Sequence, residues 1–174
     1  MVFANISNFF AVKDYLPIIN GCLGIDLIMI FALFNNIYNS EYLKKWYNHY
    51  QLSAVLADTL IIMIGIILAR FFYKYIFTDF NILKFTGLAI CIQIIHDILF
   101  YQFFKSTPVG YNFMLDFFKK YAKEVSFYAI IADSFMMMMA CFISSYCASL
   151  SLNTNIIILV LQLYFVPYFI NFRN

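Results

Sequence analysis

Charge is what this chain has least of. Asp, Glu, Lys and Arg together make up 11% of its 174 residues, against about a quarter in ordinary soluble domains. The net charge of +2 is small and dispersed, so the chain lacks the basic patch that nucleic-acid binding requires. The five glycines form no phosphate-cradling loop, and neither HExxH nor GxSxG occurs. Asp58 and Arg70 superficially suggest a lipid-headgroup transferase, but the dense aspartate and glycine spacing of such enzymes is missing. His96 is the one histidine inside an apolar run, which argues against a classical zinc site. Cys22, Cys91, Cys141 and Cys147 sit in apolar runs and form no CxxC pair. They read as small buried hydrophobes rather than a disulfide framework. The opening MVFANISNFFAVKDY lacks the basic region of a cleavable signal peptide.

What is present is apolar surface. Hydrophobic residues account for 64% of the chain, and its mean hydropathy is +0.83. Lipid is the solvent in which that composition is stable, and helices are the elements that satisfy their own backbone there. A span needs about 20 apolar residues, which predicts an all-α integral membrane bundle of five spans in one domain, 1–174. The expected spans are 16–37, 53–73, 82–104, 126–149 and 156–170, the last being short and carrying Pro167. Arg70 and Lys74, near the end of the second, are expected to snorkel to the interface. The polar stretch 38–52 separates the first two spans. Residues 111–125 alternate Tyr111, Met114, Leu115, Phe118, Tyr121, Ala122 and Val125 with polar Asn112, Asp116, Lys119, Lys120, Lys123 and Glu124. That spacing predicts an amphipathic helix lying in the membrane surface.

Basic residues orient such a bundle. Lys44, Lys45, Lys105, Lys119, Lys120, Lys123 and Arg173 fall on one side, against Lys13, Arg70, Lys74 and Lys84 on the other. The N-terminus is therefore expected outside and the C-terminus in the cytoplasm.

Two phrases nearly repeat. AVLADTLIIMIG (54–65) and AIIADSFMMMMA (129–140) align Asp58 with Asp133 and Thr59 with Ser134. GIDLIMIF and IHDILFYQF similarly offer Asp26 and Asp97, which suggests a duplicated two-span unit of the parallel kind known among transporters. At about 1.5 Å rise per residue, the four aspartates fall about 7–13 Å from the same ends of their spans. Gln93, His96, Asp97, Tyr101 and Lys105 add a stripe along the third span. Asp133, Met137, Ala140 and Ser144 share a face of the fourth. Ionisable residues in spans are costly and commonly mark ion or proton pathways, and an imidazole such as that of His96 can exchange protons with such acids. The same pattern also fits packing alone: Asp58 could reach interfacial water, and His96–Asp97 could be an interhelical hydrogen-bonding pair. Met136–Met139 with Cys141 invites a copper(I) reading, but flexible core filling explains methionine better.

The stretches LADTLIIMIG, IIHDILFYQFF, KKYAKEV and ADSFMMMMACFISSY resemble small polytopic membrane proteins of large nucleocytoplasmic DNA viruses, over residues 53–170. The resemblance implies a virion or host-cell internal membrane and supplies no catalytic residues. The leading expectation is a small transporter- or channel-like protein for protons, cations or an ion-coupled solute. Asp58, Asp97, Asp133 and Asp26 would bind the ion with His96 as proton partner; Gln93, Tyr101 and Ser144 would line the path. Alternatives are a structural membrane component whose polar layer sets helix packing and contacts in a homo-oligomer, and an embedded enzyme acting on lipid with a divalent metal held by the aspartates. The lipid bilayer is the expected partner, and no cofactor is named by the sequence.

Overall fold

Polar caps mark where the apolar runs begin to wind. The computed structural model describes residues 3–37, 39–125 and 127–172. Ser126, expected to begin the fourth span, and Arg173, counted among the basic residues, lie outside them, as do the side chains of Glu124 and Val125. Among the described residues there are seven α-helices and no strand: α1 Tyr15–Phe34, α2 Glu41–Tyr50, α3 Leu52–Ile76, α4 Ile82–Ser106, α5 Phe113–Val125, α6 Phe127–Cys147 and α7 Leu152–Ile170. Five of them, α1, α3, α4, α6 and α7, are long and apolar enough to cross a membrane.

The boundaries follow local chemistry. α1 stops at Asn35–Asn36, where Asn36 adopts φ 57°, a left-handed conformation that asparagine tolerates and that ends helices. Asn81 Oδ1 accepts from the backbone of Leu83 and Lys84 at the start of α4. Ser151 Oγ accepts from Thr154 N, so α7 begins earlier than the expected 156. Its polar first turn is tolerated because Asn155 is buried and donates to the Cys147 carbonyl, while Asn20 Nδ2 donates to Asn155 Oδ1 at 2.9 Å.

α1 is the central helix. It packs most extensively on α6 and also against α3 and α7, while α4 packs on α6 and α3. The closest approach is at Gly21 of α1, where an added Cβ would lie 2.1 Å from Ser144 Oγ, 2.7 Å from Ser144 N and 2.8 Å from the Ala140 carbonyl. Small residues let two helix backbones meet this closely. Gly21→Ala is expected to destabilise the fold by about 1–3 kcal/mol, because backbone must move. Gly65→Ala should cost less, since the one tight contact of its Cβ would be the flexible tip of Met137 at 2.6 Å, with Gln93 Oε1 at an ordinary 3.8 Å. Thermal unfolding of both variants in detergent checks the order.

Outward-facing rows remain apolar. Leu56, Leu60, Ile64 and Leu68, spaced every four residues along α3, are each more than 40% exposed. A patch of that kind is unusual for a surface facing water. Inside, Met137 and Cys141 are fully buried in the core, as core filling requires, whereas Cys91 is exposed.

The expectation that Arg70 snorkels to the interface does not hold. Its side chain is fully buried, and it closes the end of the bundle from which α1 starts. The guanidinium donates to the carbonyls of Asn8 and Ala11, pairs with Asp14 Oδ2 at 3.4 Å and lies over the Tyr15 ring. The N-terminal segment folds back over it, anchored by Ser145 Oγ donating to the Ala4 carbonyl at 2.7 Å. Lys74, one turn on, stays exposed.

Candidate functional site

The opposite end is closed by α2 and α5. In α2, Leu43, Trp46, Tyr47 and Tyr50 recur at offsets of 0, 3, 4 and 7, which places them on one face. Ser40 caps the helix by accepting from Leu43 N. That face turns into the bundle, leaving Trp46 and Tyr47 only 2% and 4% exposed. Both are aromatics with a polar tip, and buried tips need partners. Two aspartates supply them.

Trp46 Nε1 donates to Asp58 Oδ2 at 2.9 Å. The Tyr47 hydroxyl lies 2.8 Å from the same oxygen and 2.9 Å from Asp26 Oδ1. Thr59 Oγ1 donates to Asp26 Oδ2 at 3.2 Å, and Asp26 is fully buried. Burial, together with the charges of Asp26 and Asp58, holds the Tyr47 phenol well above the ordinary tyrosine range. It is therefore a hydrogen-bond donor at neutral pH. A phenol has one proton to give, yet this one faces two carboxyl oxygens. The pattern closes when one carboxyl carries a proton and donates back.

Next to this bridge lies a cavity of about 280 Å³. It collects Asp58 from α3, Gln93, His96 and Asp97 from α4, and Asp133 from α6. Five of the eight residues expected from the sequence thus share one space, and Asp26 joins them through Tyr47. Gln93 Nε2 donates to Asp97 Oδ1 at 2.7 Å. His96 Nδ1 lies 3.2 Å from the same oxygen, with its ring stacked on Phe100. Asp97 Oδ2 is buried with no hydrogen-bond partner among the described residues. Among the described residues, no lysine or arginine lines the cavity.

α5 forms the cavity's outer wall. Phe117, Phe118 and Tyr121 line it, and Trp46 meets Phe118 and Phe117 with ring centroids 4.9 and 5.4 Å apart. The Tyr50 hydroxyl donates to the Phe113 carbonyl at 2.9 Å. Of the segment 111–125, residues 113–125 are helical as α5, with Phe117, Phe118 and Tyr121 on the cavity wall.

Two expected residues are elsewhere. Tyr101 is 45% exposed on the outer surface of α4, with Lys105 over its ring. Ser144 is buried 3.4 Å from the Ile18 carbonyl, in the α1–α6 contact. Trp46 and Tyr47 were not anticipated, because the stretch 38–52 is polar on average; the apolar spacing within it was the available signal. Asp14 was also missed. Among the described residues, no three His, Cys, Asp or Glu side chains converge closely enough to hold a metal ion.

Fold and site together define an all-helical protein with five potential membrane spans and an acidic, aromatic-walled cavity closed by two short helices. Comparison with protein families, characterised proteins and solved structures finds no match to this chain.

Proposed function

We propose that this chain is a multi-pass membrane protein that moves protons or cations, or a small solute coupled to them, through the acidic cavity. The observation that carries the reading is the meeting of Asp58, Asp97 and Asp133, from three long apolar helices, in one cavity with His96 and Gln93. Carboxylates so placed in a membrane bundle are ion or proton sites by default. The bridged Asp26–Tyr47–Asp58 group gives the site a hydrogen-bonded proton store beside the cavity. A second reading draws on that same bridge, because Asp26 is fully enclosed and paired: a packing layer in a structural membrane component.

Lys44, Lys45, Lys105, Lys119, Lys120 and Lys123 lie toward the α2–α5 end, which supports a cytoplasmic position for it. At the other end Arg70 is cancelled by Asp14. α2 and α5 would then rest at the membrane surface. The packing also suits the duplicated two-span unit, with a short helix inside each copy: α1–α2–α3 and α4–α5–α6 each run long helix, short helix, long helix. Within it, α1 meets α3 and α6 as α4 meets α6 and α3. The resemblance of residues 53–170 to viral membrane proteins supports a virion or host internal membrane as the setting.

Proton and cation flux into proteoliposomes tests the reading. The parent is expected to conduct, and Asp97→Asn and Asp133→Asn are expected to lower flux about tenfold or more while remaining monodisperse and helical. A parent without flux, with variants that fail to assemble, would favour the packing layer instead.

A further inference from the structure

We infer that the cavity is a binding site for a small organic amine in its ammonium form, carrying an apolar or aromatic body. The inference rests on the cavity being the working site proposed above, and it names what that site takes.

Three observations converge on this class. The first is acid without a basic partner: Asp58, Asp97 and Asp133 face a cavity that, among the described residues, no lysine or arginine lines. The one basic group, His96, already contacts Asp97. A ligand that balances this space is a cation. The second is the wall. Trp46 and Tyr47 from α2, Phe100 from α4, and Phe117, Phe118 and Tyr121 from α5 all line it. Aromatic faces attract organic cations, whereas hard metal ions need about six or more oxygen ligands. No three acidic or histidine groups among the described residues are arranged for a metal. The volume agrees. About 280 Å³ is room for about nine waters, far more than one bare ion fills, and it approaches the lower end of organic-ligand pockets.

The third observation selects an amine with N–H groups over a quaternary ammonium. Asp133 lines the same cavity, and no hydrogen bond reaches its carboxyl among the described residues. An R–NH₃⁺ group supplies the donors that the Asp133 carboxyl lacks, while its body lies against the aromatic wall.

Trp46 is the single tryptophan of the chain and lines the cavity, so its emission reports occupancy directly. The probe is benzylamine, protonated at neutral pH, with benzyl alcohol as the uncharged molecule of the same shape and sodium chloride as the inorganic cation. Benzylamine is expected to change Trp46 emission saturably and to bind about tenfold or more tighter than benzyl alcohol, the worth of one charge-assisted hydrogen bond. Asp133→Asn should remove most of that advantage. Phe117→Leu, which keeps the acids, should weaken benzylamine a few-fold through the lost ring face, and covers the case in which Asp133→Asn fails to fold.

Equal binding of benzyl alcohol and benzylamine would overturn the inference, as would displacement of benzylamine by sodium at matched ionic strength. Flux measured on the same preparations separates the two levels. Asp133-dependent proton flux without benzylamine binding sinks the amine and leaves the transport reading. Benzylamine binding without flux of protons, sodium or benzylamine sinks transport and leaves the amine site.

Discussion

Replacing Arg70 with methionine is expected to destabilise the protein by about 3–5 kcal/mol, the usual cost of breaking a buried ion pair from one side. Arg70 is fully enclosed, and its guanidinium holds the carbonyls of Asn8 and Ala11 as well as Asp14. Methionine fills similar space but leaves Asp14, itself 5% exposed, without its counter-charge. The N-terminal segment should then release from the end of the bundle, and limited proteolysis should cut it first. The double variant Asp14→Asn/Arg70→Met is expected to recover most of the loss, since no isolated charge remains buried. Among the described residues Arg70 Nε and Nη1 have no partner, so the pair closes this end at considerable desolvation cost, and its replacement is correspondingly tolerable. A single variant as stable as the parent would show that the clamp contributes nothing to folding.

Arg70 also shows what one-dimensional reading cannot reach. Its position near the end of an apolar run fits snorkelling, and its partner lies 56 residues away on a segment with no hydropathy signal of its own. The long helices were legible because lipid-compatible composition persists over whole spans, and a window average captures it. The shared depth of the aspartates was legible for a similar reason, since helix rise converts sequence position to height. Rotation around the axis was less secure. Tyr101 follows Asp97 by four residues and Gln93 by eight, which turns it about 40° and about 80° from them. On a helix packed along one side only, that angle carries it from the cavity to the outer surface. Ser144 shares the Asp133 face but stands about 16 Å further along the axis, in a different contact. α2 escaped because averaging hides a ten-residue helix whose polar face outweighs its apolar one. Yet its aromatic face finishes the site, supplying the donors that two of the aspartates require.

Those donors set up the sharpest contrast. Tyr47→Phe is expected to cost about 2–4 kcal/mol, because Asp26 and Asp58 both lose a strong hydrogen bond in a buried place. Asp26→Asn is expected to cost less than about 1 kcal/mol, even though it alters the more deeply buried partner. The difference follows from counting protons. Tyr47 can donate to only one of the two oxygens beside it, so the native pattern has a carboxyl proton returning a bond to the phenol. An asparagine at position 26 takes over that return, with Nδ2 donating to Tyr47 and Oδ1 accepting from Thr59, while Tyr47 donates to Asp58. Unfolding in detergent gives the two costs, and the infrared carbonyl band of a protonated carboxyl should weaken in Asp26→Asn. Trp46 supplies an independent readout: if α2 is held down by this bridge, its emission should shift to the red in Tyr47→Phe and stay in place in Asp26→Asn. Equal losses in the two variants would mean that no carboxyl proton completes the bridge, and the proton store beside the cavity would have to be abandoned.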